Sequence, residues 1–355
     1  MKPVVPTLVS ALVLALSACS GASPSDSQGS MAPAEQRTVR VLTHDSFALS
    51  EDLVTSFEQS SGIDVEFIPA GDAGEMVNRA VLASGNPEGD VLFGVDTTLL
   101  SRAIDAEVFE PYVSSPEALR PELREAGAGV VTPMDDGDVC VNIDDGWFAE
   151  QGIAPPATLE DLADPRYRGL LVVQNPATSS PGLAFLLATI DRYADEWPDY
   201  WQRLRDNDAL VVNGWSEAYL SEFTAGGGGG ERPLVVSYST SPPAEIVYAE
   251  EPKPERPSTS IMTDGCYRQV EFAGVLRGTT DPEAARAVID WLVSPEVQAD
   301  VPLSMFVFPA RAGVPLPAVF QEFVTRPSDP AELPAGEIAE RRDAWIDEWT
   351  QIVLR

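Results

Sequence analysis

VRVLTHDSFALSEDLVTSFEQSSGIDVEFI, Val39 to Ile68, holds two apolar runs on either side of a segment with a different period. Residues 39–43 and 63–68 read as β-strands, while Leu53, Val54 and Phe57 fall at helical spacing and predict an amphipathic helix over 50–60. Strand, helix and strand in so short a span make a βαβ unit, the building block of a parallel sheet. The stretch also contains His44, the single histidine of the chain, at the end of the first strand. Strand ends are where ligands and reacting groups gather in α/β proteins.

The alternation continues outward. A helix is expected over 74–84, an apolar strand over 90–95 (DVLFGV) and a further helix from Thr97. The pattern resumes with a strand at 169–174 (GLLVVQ), a long apolar helix from Pro181, a strand at 209–212 and a helix from Ser216. The strand 233–238 (PLVVSY) precedes an acidic, proline-rich loop. A helix around Trp291 over 281–297 and a closing helix over 336–353 complete the reading. GGGGG at 226–230 reads as a surface connection, because it lacks the Lys-Ser/Thr of a phosphate loop. An ordered part of about 320 residues exceeds one typical domain, so two lobes are expected. Segments 138–143 (DVCVNI) and 266–275 (CYRQVEFAGV) read as crossings between them.

The start, MKPVVPTLVSALVLALSAC, has one lysine, an apolar run too short for a comfortable transmembrane helix, and a small-residue ending. That is a secretory signal, expected over 1–18. Its Leu-Ser-Ala-Cys ending resembles the lipobox of bacterial lipoproteins, in which Cys19 would be acylated; an ordinary signal peptide is the alternative. Residues 19–37 are rich in Ser, Gly and Pro and read as a flexible tether. Export leaves Cys140 and Cys266 in an oxidising compartment, where an even pair points to a disulfide rather than two buried thiols. One cysteine lies in each crossing segment, so a bridge would tie them near the hinge.

The net charge is -33, from 56 acidic and 23 basic residues. Such a surface repels nucleic acid and anionic lipid, leaving a lipid anchor as the one membrane attachment expected. Enzyme readings fare poorly. NGWSEA (213–218) approximates a nucleophile elbow after a strand, but Ala218 replaces the second glycine. A hydrolase triad runs Ser, acid, His along the chain, and His44 precedes Ser216. One histidine and two distant cysteines do not supply a zinc set, and no adjacent Tyr-Tyr pair points to ferric iron. The carboxylate pairs Asp135-Asp136 and Asp144-Asp145 read as solvated. The expectation is a non-enzyme with neither metal nor cofactor.

Taken together, THDSF (43–47), GDAGEMVNRA (71–80), DVLFGVDTTLL (90–100), NPATSSPGL (175–183), NGWSEAY (213–219) and LVVSYSTSP (234–242) resemble the thiamine-binding periplasmic family, the solute-binding proteins of ABC importers. The resemblance implies a two-lobed α/β periplasmic-binding-protein fold hinged on interlobe crossover strands. Lobe 1 would comprise 38–137 and 267–325, lobe 2 would comprise 138–266, and 326–355 would form a C-terminal helical tail. It also implies a lipid-anchored, extracytoplasmic monomer that delivers thiamine, or its mono- or diphosphate, to a permease powered by an ATPase. Other cationic solutes, a polyamine or ferric iron, and a serine hydrolase using Ser216 are the alternatives.

Thiamine is a flat aminopyrimidine joined to a cationic thiazolium, so its pocket needs aromatic faces and acceptors. Trp215 and Tyr238 match the family's aromatic contacts, and an aromatic face holds a quaternary cation by about 0.5–2 kcal/mol. Asp72 matches an acidic pocket position. Asp45 is either a pocket acid or a helix cap, and for Asp96 capping is the first reading. Ser179, before a helix with Pro181 in its first turn, would meet the hydroxyl or phosphate end. Ser241 belongs to the SYSTSP contact. The chain departs from the family where His44 and Ala244 stand for tyrosines and Phe306 for tryptophan. Protonated His44 would repel a thiazolium, so binding is expected to weaken below about pH 6.5.

Overall fold

The computed structural model describes residues 37–355. The expected signal peptide, Cys19 and all of the expected tether but Arg37 lie outside the described residues. Arg37 itself already belongs to strand β1 (Arg37–Thr43), held by a two-toothed contact with Asp281 at 2.7 Å. Helix α1 (Glu51–Ser61) ends at Gly62, whose φ of 71° turns the chain into β2 (Ile63–Pro69). Then come α2 (Ala73–Leu82), β3 (Val91–Asp96), α3 (Leu100–Asp105) and the short β4 (Phe109–Glu110). Strand β1 runs parallel to both β2 and β3, as the alternation predicts. Helix α3 starts later than Thr97 because Asp96 Oδ1 first accepts the Thr98 amide at 2.6 Å and folds a turn.

Strand β5 (Thr132–Asp144) is longer than the 138–143 expected, since its first half, TPMDDG, is polar yet buried. Asp135 and Asp136 are 2 % and 1 % exposed, so the reading of this pair as solvated is wrong. The burial of Asp136 is tolerable because cations reach in from other segments. Asp136 takes Arg120 and Arg326, and the neighbouring Asp138 takes Arg268 at 2.8 Å. After β5 come α4 (Asp145–Gln151), α5 (Leu159–Leu162), β6 (Leu171–Gln174), α6 (Ser180–Tyr193), α7 (Trp197–Asp206) and β7 (Leu210–Val212). Asp144, of the second pair, caps α4 by accepting the Trp147 amide at 2.9 Å. A π-helical turn at Glu217–Glu222 leads to β8 (Leu234–Tyr238) and α8 (Ala244–Val247). In the acidic loop beyond α8, Lys253 Nζ donates to the Val247 carbonyl at 3.0 Å.

Strand β9 (Thr259–Leu276) brings the chain back and is followed by α9 (Pro282–Leu292), α10 (Pro295–Ser304), β10 (Phe308–Pro309), α11 (Ala318–Phe323) and α12 (Ala335–Val353). The single helix expected over 281–297 is therefore two. Ser294 caps the second through the Val297 amide, with Pro295 at its first position.

The sheet order is β2-β1-β3-β9-β5-β8-β6-β7. Two parallel-stranded wings thus hang on a central antiparallel pair: β2-β1-β3 on the C-terminal half of β9, and β8-β6-β7 with β8 on the C-terminal half of β5. The register of that pair slips between Val139 and Val141, and there Cys140 is joined to Cys266 with Cα atoms 4.3 Å apart. Helix α12 spans both wings, with Trp349 against Trp201 of α7 at 5.4 Å and Arg342 donating to Ser101 of α3. No helix among the described residues is long and apolar enough to cross a membrane.

Candidate ligand-binding site

A cleft of about 470 Å³ opens where the strand ends of the two wings face each other. His44 directly follows β1, Asp96 ends β3 and Tyr238 ends β8 on its wall, while Asp135, Gln269 and Glu271 rise from the central pair. Ser180 at the start of α6, Trp215, and Phe306 after α10 close the sides.

The imidazole of His44 fits because β3 bulges at Gly94, where the register against β9 shifts. Gly94 has φ of 112°, and a Cβ there would stand 2.6 Å from His44 Cδ2. Both ring nitrogens have partners: Nδ1 lies 2.9 Å from Ser46 Oγ and Nε2 lies 3.4 Å from Glu271 Oε1. Burial by itself depresses the imidazole pKa, but the carboxylates of Glu271, Asp72 and Asp45 outweigh it and raise it above 6.5. His44 is thus an imidazole leaning on a carboxylate, without a hydrogen bond to Ser216, which also lines the cleft.

Asp96 serves two ends at once. Its Oδ1 holds the Thr98 turn, and its Oδ2 accepts the Ser180 hydroxyl inside the cleft. Burial pushes its pKa up to about 6, against the pull of the Ser180 and Thr98 hydrogen bonds. Asp135 and Glu271 face each other across β5 and β9. Burial and the like charge of Glu271 push the Asp135 carboxyl well above the usual range, and Asp135 Oδ2 has no donor on it among the described residues. Gln269 links this floor to the wall: its Nε2 donates to Ser180 Oγ at 2.8 Å, and its Oε1 accepts from the Tyr238 hydroxyl at 3.3 Å. A carboxylate-rich floor of this kind favours a cation.

Above the floor are aromatic faces. Trp215 stacks on Tyr219 with centroids 5.0 Å apart and planes 13° apart, and its Nε1 donates to Ser237 Oγ at 2.8 Å. Ser237 in turn bonds Ser241, which lines the cleft, at 2.9 Å. Phe306 has φ of 55°, a left-handed backbone held by the Thr240 hydroxyl on its carbonyl. Such conformations cost roughly 1–3 kcal/mol and concentrate at ligand clamps. Ala244 also lines the cleft, and one helical turn later Tyr248, 69 % exposed, brings its ring 5.6 Å from Phe306.

Of the residues singled out from sequence, His44, Asp45, Trp215, Tyr238, Ser241 and Phe306 line the cleft. Asp45 caps no helix, because α1 begins six residues later behind Ser50. Asp72 and Ser179 do not line it; both are buried behind the wall. Asp72 caps α2 through the Ala73 amide at 2.6 Å and reaches the other wing, accepting the amides of Trp215 at 2.8 Å and Ser180 at 3.2 Å. Gly74 permits this approach, since a Cβ there would meet the Thr178 carbonyl at 2.5 Å. Sequence reasoning missed Asp135, Gln269, Glu271 and Tyr248. The signal for two of them was present: Gln269 and Glu271 stand two apart in an apolar strand and so share one face. Among the described residues no group of three or more His, Cys, Asp or Glu is arranged to hold a metal ion.

Two wings joined by crossing strands around an open cleft form a receptacle for a small solute, and the chain belongs to the bacterial extracellular solute-binding proteins, whose family profile matches residues 86–326. It is 31% identical over 324 residues to the thiamine-binding periplasmic protein of Escherichia coli (strain K12), covering 89% of this chain and 93% of that one. The thiamine-binding periplasmic protein of Brucella suis biovar 1 (strain 1330) is 30% identical over 338 residues, 92% of this chain and 95% of its own. A solved periplasmic thiamin binding protein superposes with a TM-score of 0.78 at 29% identity, over 91% of this chain and 98% of that chain. The wings are the two lobes of a periplasmic-binding-protein fold.

Proposed function

We propose that this chain is the extracytoplasmic solute-binding lipoprotein of an ABC importer, taking thiamine between its lobes and handing it to the permease. The carrying observation is the pairing of the cleft-floor carboxylates of Asp96 and Glu271 with the Trp215 face. A thiazolium meets carboxylates and a π-surface there, and its aminopyrimidine meets the acceptors and donors of Gln269 and Ser180. The thiamine-binding names of the relatives support the same ligand. Lobe 1 is 38–137 with 267–325, lobe 2 is 138–266, and closure around the ligand is the switch the permease reads. Cys19 anchors a monomer. In this reading His44, whose ring nitrogens face Ser46 and Glu271 rather than Ser216, is a pocket wall.

Calorimetry separates the readings. Heat with thiamine and none with spermidine or ferric citrate is expected, together with no ester hydrolysis by wild type beyond that of Ser216→Ala. Silence with thiamine beside Ser216-dependent turnover refutes the proposal.

The pH dependence has a definite sign. A bound cation favours neutral His44 and ionised Asp96, so protons held there by the free protein must leave on binding. His44 titrates above 6.5 and Asp96 at about 6. The loss of affinity therefore begins at higher pH than the His44 sequence position alone suggests. Thiamine affinity falls by about tenfold or more between pH 7.5 and pH 5. A flat profile across that range places neither group beside the cation.

A further inference from the structure

We infer that Asp72 is a positioning residue that clasps the two lobes together, so that groups of the protein itself help set how long a bound solute is held. The inference rests on the lobe assignment proposed above and concerns how that cleft is kept shut. Asp72 is 8 % exposed and lies behind the cleft wall, outside the lining.

The carboxylate belongs to lobe 1, where its Oδ1 caps α2 by accepting the Ala73 amide at 2.6 Å. The same oxygen accepts the Ser180 amide at 3.2 Å, and Oδ2 accepts the Trp215 amide at 2.8 Å. Both of these donors belong to lobe 2. The Ser180 amide opens α6 and has no acceptor within its own helix, so one carboxylate serves a helix start in each lobe. Beside it, the Glu75 amide of lobe 1 donates to the Thr178 carbonyl of lobe 2 at 3.1 Å, and Ser180 Oγ donates to Asp96 of lobe 1. Opening about β5 and β9 separates these partners and breaks the bonds together. Contacts made only between closed lobes favour the closed state and slow release.

Two glycines keep this seam narrow. A Cβ on Gly74 would stand 2.5 Å from the Thr178 carbonyl oxygen, and one on Gly214 would stand 3.2 Å from Asp72 Oδ2. Neither glycine has a left-handed backbone, so local conformation does not call for glycine at either place. Gly74 even lies in the first turn of α2, where alanine is the better helix former. The close approach of the other lobe is the reason that remains.

Stopped-flow kinetics with thiamine on the full chain, beside melting curves and small-angle scattering of the ligand-free protein, test this. Gly74→Ala touches no residue of the cleft lining, favours α2 and obstructs the seam. It is expected to release thiamine at least tenfold faster, with association changed by less than threefold and Tm held or raised. Its ligand-free radius of gyration should exceed that of wild type. Asp72→Asn keeps the shape but loses the charge and one acceptor, and should move both readouts the same way. Release within threefold of wild type in both variants overturns the inference and leaves the thiamine reading standing. A lower Tm in Gly74→Ala without faster release also overturns it, assigning the seam to folding alone. If wild type does not bind thiamine, the functional reading falls; the scattering still decides the clasp, and an unchanged radius in both variants refutes it.

Discussion

Trp215→Ala will weaken thiamine binding by about thirtyfold or more, the loss expected when a buried aromatic anchor worth about 2 kcal/mol is truncated. The indole is held at three points: its ring lies on Tyr219, its Nε1 donates to Ser237 and its backbone amide donates to Asp72. A face so fixed gives up little entropy when a ligand stacks on it. The alanine chain keeps the backbone bond to Asp72 and the Ser237–Ser241 pair, so the fold is not at stake. Trp215→Phe keeps a ring and loses the Ser237 bond, and should cost only a few-fold. Calorimetry of the three proteins, with melting curves as the control, decides the matter. A change below threefold for Trp215→Ala at unaltered Tm would mean that the ligand does not touch this ring.

The second large effect is on stability. Replacing both Cys140 and Cys266 by alanine should cost about 2–4 kcal/mol, lowering Tm by about 3–6 °C for a chain of this size. The bridge closes a sequence separation of 126 residues and does so where the register of β5 and β9 slips. At that slip regular ladder bonds are interrupted, so the covalent link replaces pairing that the strands cannot supply. The double substitution avoids leaving a lone thiol. Thiol labelling of the unfolded, unreduced protein should find neither Cys140 nor Cys266 free, and an unchanged Tm in the double variant would assign the bridge no stabilising role.

The wings were readable because their strands are apolar and their helices amphipathic, so period alone separates them. Strand ends were right to within a residue or two for β1, β2, β3 and β8. The central pair was not, because residues 132–138 bury acids whose partners Arg120, Arg268 and Arg326 are remote in sequence. A window of sequence shows Asp135-Asp136 as hydrophilic and cannot display the guanidinium groups that meet Asp136 or the Glu271 that faces Asp135. The same limit governs the site. His44, Trp215, Tyr238 and Phe306 stand at ends of elements, where position alone is informative. Asp135 and Glu271 lie within long strands and become a cleft floor only when β5 and β9 pair. Asp72, read from its motif as a ligand contact, accepts three backbone amides behind the cleft wall. Tyr248, one turn beyond Ala244, is seen to meet Phe306 only once α8 is built.

Lys253 has a practical use. It is one of two lysines in the sequence, the other being Lys2, and it sits in the loop just after α8. Amine-reactive dyes applied to a chain lacking its first residues will therefore mark one side chain, close to the rim that carries Tyr248. A dye on Lys253 thus probes the cleft rim without any engineered residue.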